Sequence, residues 1–151
     1  MTNLLTNAKP ARNTQVMRDK GGIGLISLEL SKRLKEAGLE WEPQIGDVFY
    51  FKTFKDWGID AINSEDVDNN LDETEDYIDE GAWLLAPDLE QLLAKIRELG
   101  YKWFVETDTE RYFIRVVEIK KPNNFHVIFS DSPANAAASA LLWILEGGTS
   151  K

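Results

Sequence analysis

Cysteine is absent from the 151 residues, and histidine occurs once, as His126. Without cysteine the chain has no disulfide, no thiolate zinc site and no cysteine nucleophile, and it shows no sign of an oxidising compartment. No apolar run is long enough to cross a bilayer or to form the core of a signal peptide. We therefore expect a cytoplasmic protein that does not act in a membrane.

The sequence has few residues arranged for catalysis. A lone histidine in a predicted strand is more often structural than catalytic, and the Gly-x-Ser-x-Gly pattern of a nucleophilic serine is missing. The glycine-rich residues 21–24 follow no strand, and no Lys-Ser or Lys-Thr pair comes after them, so they are better interpreted as a hinge than as a phosphate loop. We predict no catalytic residue and no cofactor, and we favour a non-enzymatic role.

Acidic residues are concentrated in one segment. The net charge is −9, and residues 55–80 hold eleven of the 26 acidic side chains but one basic residue, Lys55. The rest of the chain is nearly neutral, which argues against a nucleic-acid binder with a basic stripe. A long loop in a compact domain is usually functional or disordered, and we interpret 55–80 as an acidic loop outside the core.

Part of the acidic segment has the alternation of a calcium-binding loop. Asp66, Asp68 and Asp72 are spaced as EF-hand ligands are, but the sixth position from Asp66 is Leu71 instead of glycine. The twelfth position is Tyr77 instead of glutamate. We therefore predict weak divalent-cation binding by these three aspartates and no specific metal site.

One helix, flanked closely by two strands, organises the predicted fold. Pro87 is predicted as the first residue of the helix, Asp88 places a negative charge in its first turn, and Gly100 suits the left-handed residue that ends it. Between them, apolar residues at helical spacing predict one buried face, made of Leu89, Leu92, Leu93, Ile96 and Leu99.

Similar patterns predict the other elements. Helices are expected over 27–37 and 133–145, the second with Ser132 as N-cap and Pro133 as its first residue. Strands are expected over 48–51, 82–85, 101–106, 111–120 and 124–130. The last three strands form an antiparallel meander with turns at 108–110 and 121–124, and the final strand places Phe125, Val127 and Phe129 on one face.

The predicted fold class is α+β, a mostly antiparallel sheet of about four or five strands packed with three helices. Residues 1–24 are polar and without periodicity, which predicts a flexible N-terminal arm. A single domain is expected over 25–148, and the acidic loop at 55–80 is an addition to it.

Three tryptophans are candidate binding residues. Trp143 falls on the polar side of the last helix, where a large aromatic often marks a contact. The alternative, that the acidic loop or the N-terminal arm covers it, stays open. Trp57 and Trp41 could line a pocket or a stacking surface, and Trp57 could instead tether the acidic loop.

These observations lead to a functional hypothesis with two alternatives. We predict a non-enzymatic accessory or regulatory protein that binds another protein, with a homodimer among the options. The first alternative is a protein that binds a small molecule or a divalent cation, or an enzyme of unknown type. The second is that the acidic loop mimics DNA phosphates against a basic partner.

Three segments carry a resemblance to other proteins. They are residues 27–43, residues 84–93, and residues 130–143 with Ser130-Asp131-Ser132-Pro133 and an alanine-rich helix ending in Leu141-Leu142-Trp143. These segments, about half of the chain, resemble small uncharacterised proteins of Bacillus-type bacteria and their phages or prophages. The resemblance implies a phage-linked, cytoplasmic protein. It transfers no functional residues, because those proteins have no established activity.

Overall fold

The structure is a computed structural model that describes residues 15–16, 25–42, 44–62 and 83–148, with residues 15–16 described by their backbone pairing. These parts of the chain contain seven strands and three helices. The chain groups into two compact units. The first unit comprises Met1–Lys20 and Glu40–Ala86, and the second comprises Gly21–Leu39 and Pro87–Lys151.

The first unit contains one antiparallel sheet. Its strands are β1 (Gln15–Val16), β2 (Val48–Lys52), β3 (Trp57–Ala61) and β4 (Trp83–Leu85). Their order in the sheet is β1–β3–β2–β4, so the short β1 lies on the outer side of β3. Strand β4 comes from far along the chain and pairs with β2 through Phe49, Tyr50 and Phe51.

Aromatic side chains form the core of the first unit. Phe49 and Trp83 are buried and stack with ring centroids 4.0 Å apart and planes inclined by 17°. Phe51 and Ile62 complete the buried cluster. Phe51 lies opposite Gly58 in the β2–β3 register, and its ring occupies the space that a side chain at Gly58 would need.

The second unit contains three helices and a second antiparallel sheet. Its elements are α1 (Leu28–Glu36), α2 (Leu89–Glu98), β5 (Tyr101–Thr107), β6 (Tyr112–Glu118), β7 (Lys121–Ser130) and α3 (Pro133–Leu145). The strand order is β5–β6–β7. Helix α2 contacts β5, helix α3 contacts β6 and β7, and both α1 and α2 contact α3. The helices therefore cover one side of the sheet.

Each helix begins with a side-chain cap. Ser27 Oγ accepts from the Leu30 N–H at 3.2 Å, and Ser132 Oγ accepts from the Asn135 N–H at 3.2 Å. Asp88 caps α2, so Pro87 precedes the helix and the prediction that Pro87 is its first residue is wrong. The prediction of Ser132 as N-cap and Pro133 as first residue of the last helix is confirmed.

The α+β class and the three helices are confirmed in the described residues, but the prediction of one sheet of four or five strands is wrong. There are two sheets, because β2 finds its partners in β3 and β4 and has no pairing with the later meander. That meander, β5–β6–β7, is confirmed. Its second turn lies at residues 119–120, so the predicted turn at 121–124 is wrong and those residues belong to β7.

The prediction of a loop over 55–80 is wrong for residues 57–61, which form strand β3 between β1 and β2. Residues 63–80 lie outside the described part of the chain. Within the expected flexible arm, 1–24, residues 15–16 pair with β3, and the others lie outside the described residues. The single domain over 25–148 stays a prediction.

Candidate interaction face

The sheet of the second unit has an inner face that packs on the helices. Along each strand the side chains alternate between the two faces. Ile114 and Val116 of β6 point inward and are almost fully buried, and His126 of β7 lies beside Val116 in the register. Tyr101 of β5 is also buried on this side.

The opposite side, which we call the outer face, consists of nine side chains in three cross-strand rows. Row one is Lys102–Val117–Phe125, row two is Phe104–Arg115–Val127, and row three is Glu106–Phe113–Phe129. The prediction that Phe125, Val127 and Phe129 share one face is confirmed by this register.

Three phenylalanines on the outer face are open to solvent. The exposed fraction is 41% for Phe104, 46% for Phe125 and 52% for Phe129. Single exposed aromatics are ordinary, but three on one sheet face, with the half-buried Phe113 and Val117 of β6 between them, are a pattern that often marks an interaction site. Phe54 in the first unit, at 85% exposure, is an isolated example of the ordinary kind.

Two guanidinium groups lie over rings of this face. Arg115 Cζ is 4.6 Å from the centroid of the Phe104 ring, and Arg111 Cζ is 4.7 Å from that of Phe129. Such contacts contribute about 0.5–1 kcal/mol at exposed sites, and they hold each arginine against the sheet. Arg111 also pairs with Asp108 at 3.4 Å, whereas Arg115 has no carboxylate partner in the described part of the chain.

Asp108 fixes the turn that joins β5 to β6. Its Oδ1 accepts from the backbone N–H groups of Glu110 at 3.0 Å and Arg111 at 2.8 Å. These hydrogen bonds to the charged form lower the pKa of Asp108 below its usual value. The turn predicted at 108–110 is confirmed, and it places Arg111 at the edge of the outer face.

Trp143, the first predicted binding residue, packs against the inner face. Its indole stacks on His126 with ring centroids 4.7 Å apart and planes inclined by 9°. The Tyr101 ring meets it edge-on at 6.0 Å. Trp143 is thus half-buried by rings of its own unit, and its role in binding a partner stays a prediction.

The other predicted site residues belong to the first unit or lie outside the described residues. Trp57, in β3, and Trp41 belong to the first unit and are half-buried. Asp66, Asp68 and Asp72 lie outside the described residues. Within the described ranges, no cluster of three or more His, Asp or Glu side chains could hold a metal ion.

A polar cleft of about 470 Å³ opens where β5, the β6–β7 hairpin and the end of α3 meet. Asn124 Nδ2 donates to Glu118 Oε1 at 2.8 Å and to the Gly148 carbonyl at 2.5 Å. The Tyr101 hydroxyl donates to the same carbonyl at 3.5 Å. Burial, with the nearby Glu118 carboxylate, raises the pKa of Tyr101. Lys121 adds a cation to the lining.

An apolar groove of about 340 Å³ runs beside α2, lined by Leu89, Leu93, Ala94 and Trp103 among others. The groove exists because the predicted buried face of this helix is only partly buried. Leu92 and Ile96 are fully buried, but Leu89 and Leu93 are half-buried and Leu99 is 40% exposed.

Comparison of the chain with protein-family models, curated proteins and solved structures finds no match. In the described residues, no helix has the length and apolar character that crossing a membrane requires.

The sequence predicted that Phe125, Val127 and Phe129 of β7 share one face, but it did not identify the outer face as a candidate site. The signal was present: Phe104, Phe113 and Arg115 alternate with inward residues just as Phe125 and Phe129 do. Both faces of these strands are rich in apolar residues, so the pattern alone does not indicate which face the helices cover.

Proposed function

We propose that this protein is a non-enzymatic accessory or regulatory protein that acts by binding another protein chain, and that the outer face is its binding surface. The observation that supports the proposal is the set of three phenylalanines, Phe104, Phe125 and Phe129, each exposed by at least 41% on one face of one sheet. Burying the exposed part of one such ring, about 90 Å², contributes about 2 kcal/mol before the costs of association.

The composition of the outer face suits a protein partner better than a single-stranded nucleic acid. Aromatic residues and arginine are enriched at the centres of protein interfaces, and both occur here. Nucleic-acid platforms combine stacking rings with a basic groove. On this face the cations Lys102 and Arg115 are accompanied by Glu106, and the chain as a whole carries a net charge of −9.

A paired set of serine substitutions tests the proposal. The double variant Phe104→Ser, Phe129→Ser removes two exposed rings without opening the core, and Phe54→Ser makes the same chemical change at an isolated exposed ring. Affinity capture from the native cells, quantified by mass spectrometry, should lose its specific protein partner with the double variant and retain it with Phe54→Ser. Equal capture by all three proteins would refute the outer face as the binding surface.

A second candidate function is small-molecule binding in the polar cleft. The observation that favours it is the convergence of Glu118, Lys121, Asn124 and the Tyr101 hydroxyl on one opening. A thermal-shift screen with metabolites, nucleotides and divalent metals, repeated on Glu118→Gln, checks it. A shift that Glu118→Gln abolishes would support this cleft as the site.

Three further hypotheses are proposals that rest on the sequence. A phage-linked, cytoplasmic role rests on the resemblance described above. Weak divalent-cation binding by Asp66, Asp68 and Asp72 rests on their spacing. Calcium titration of the original chain and of a variant with all three aspartates replaced by asparagine tests it. Mimicry of DNA phosphates by the 55–80 segment predicts binding to a basic protein that duplex DNA competes away.

A further inference from the structure

The outer face has a symmetric pattern along its strands. On β7 the sequence of outward side chains is Phe125–Val127–Phe129, which has the same residue types in both directions. On β6 it is Phe113–Arg115–Val117, an arginine between two apolar residues. On β5 it is Lys102–Phe104–Glu106, a phenylalanine between opposite charges. The three columns therefore share one centre, the row that holds Phe104, Arg115 and Val127.

A two-fold axis requires a surface that is complementary to itself, and this pattern provides such complementarity for one orientation of the axis. In such an interface, if one residue contacts a second, the second of the partner contacts the first. A two-fold axis that lies between two stacked outer faces, along the central row, places row one of one copy on row three of the other. Lys102 then faces Glu106 of the other copy, twice, and Phe125 faces Phe129.

The alternative orientation of the axis leaves charges without partners. If the axis ran along the strands, β5 of one copy would lie on β7 of the other. Lys102 and Glu106 would then be buried against phenylalanines, and an unpaired charge in an apolar interface weakens association. Neither residue has an ion-pair partner in the described part of its own chain, so each is available to the other copy.

We propose that the outer face binds a second copy of this chain, as two stacked sheets related by the two-fold axis through the central row. This inference rests on the proposed function and names the protein that occupies the face. Aligned sheets pack about 10 Å apart with interdigitating side chains, and strands of the two copies run antiparallel here. Three strands of about seven residues make a small interface, so we expect a dissociation constant of about 1–100 μM.

The central row makes a prediction that separates a second copy from a different partner. Arg115 lies near the axis in both orientations, so either one brings two like charges together, at a cost to the dimer, while each guanidinium rests on its Phe104 ring. Replacing Arg115 by methionine should therefore strengthen the dimer by about threefold or more. An acidic partner of another sequence would instead lose a carboxylate contact, and its binding would weaken.

Charge exchange on β5 tests the pairing directly, with sedimentation velocity over a concentration series as the measurement. Lys102→Glu and Glu106→Lys should each weaken dimerisation by about tenfold or more, because each places two pairs of like charges together. The double variant restores both pairs with exchanged signs, and we expect its dissociation constant to lie within about threefold of that of the original chain. The matched controls, Lys95→Glu and Glu98→Lys on α2, change the net charge equally and should leave dimerisation unchanged.

Each other outcome has a defined meaning. A monomer at all concentrations would overturn the dimer. If the chain were monomeric but the Phe104→Ser, Phe129→Ser variant lost a partner protein that the original chain captures, the proposed function would stand and only the dimer would be overturned. A dimer insensitive to both single reversals would overturn the outer face as its interface. Weakening by the single changes without recovery in the double variant would overturn the Lys102–Glu106 pairing. A dimer that Arg115→Met weakens would show that the two arginines do not meet, and it would overturn the axis along the central row.

Discussion

The imidazole of His126 lies flat on the indole of Trp143, with the ring planes inclined by 9°, and the edge of Tyr101 closes the group from β5. Strands β5 and β7 thus meet helix α3 through three rings. The buried positions of α3 are otherwise mostly alanine, so Trp143 is the largest side chain that this helix places against the sheet.

We expect Trp143→Ala to lower the free energy of unfolding by about 2–4 kcal/mol, since it removes a large half-buried side chain and leaves a cavity. His126→Ala, which removes one side of the stack, should cost less. Urea denaturation followed by circular dichroism measures both. A loss below about 0.5 kcal/mol for Trp143→Ala would show that the indole adds little to stability.

The N-cap of α2 gives a second prediction. Asp88 Oδ1 accepts from the Gln91 N–H at 2.8 Å, and Gln91 Oε1 accepts from the Asp88 N–H at 2.9 Å. Asp88→Ala should cost about 1 kcal/mol of stability because it removes the side-chain acceptor of the Gln91 N–H, while the backbone N–H at position 88 remains. Asp88→Asn retains an acceptor and should cost much less, and urea denaturation compares the two. Equal losses would contradict the hydrogen bond as the cause.

Gly58 gives a third prediction, in the first unit. A Cβ added there would come within 3.0 Å of three atoms of the Phe51 ring, which lies in the core cluster. Gly58→Ala should therefore cost about 1–3 kcal/mol through overpacking. The same change combined with Phe51→Leu should cost less than the sum of the two single changes. Additive losses in this double-mutant cycle, measured by thermal denaturation, would argue against the steric contact.

Tyr101 makes the free energy of unfolding depend on pH in the alkaline range. Because burial raises its pKa above 10.0, the folded protein retains the phenolic proton that the unfolded chain loses. This contribution is fully present below pH 10 and is lost as the pH rises through the folded-state pKa. Tyr101→Phe has no such group, so the free energy of unfolding of the original chain should fall more steeply above pH 10. If the free energy of unfolding changed with pH equally in the original chain and in Tyr101→Phe between pH 8 and pH 11, this prediction would be refuted.

The helices were predictable because their signals are local. Ser27 and Ser132 as caps, and Gly38 and Gly100 in the left-handed region, act within a few residues of the helix ends. The β5–β6–β7 meander was predictable for the same reason, since its strands are neighbours in sequence. Asp108 sets its first turn through hydrogen bonds that span two and three residues.

The first sheet was not predictable in the same way. Strand β3 alternates Trp57, Ile59 and Ala61 with smaller or polar residues, but the acidic residues around it outweighed that short signal. The pairing of β2 with β4 joins residues that are far apart in sequence, and no local pattern specifies such a partner. The partition of the strands into two sheets follows from that pairing.

The outer face was predictable in part. The alternation in β7 placed Phe125 and Phe129 together, but whether helices cover that side depends on where α2 and α3 pack. The rows that bring Lys102, Arg115 and Glu106 into a symmetric pattern depend on the cross-strand register, which a sequence read one strand at a time does not contain.

The second unit is assembled from two stretches of chain, Gly21–Leu39 and Pro87–Lys151. Helix α1 belongs to the earlier stretch, and the Ser27 N–H donates to Asn135 Oδ1 of α3 at 2.9 Å. Cutting the backbone between residues 62 and 83 would therefore divide this unit into a piece with α1 and a piece with everything else. Reassembly of two such fragments, expressed separately, would depend on the contacts of α1 with α3 and on the pairing of β4 with β2.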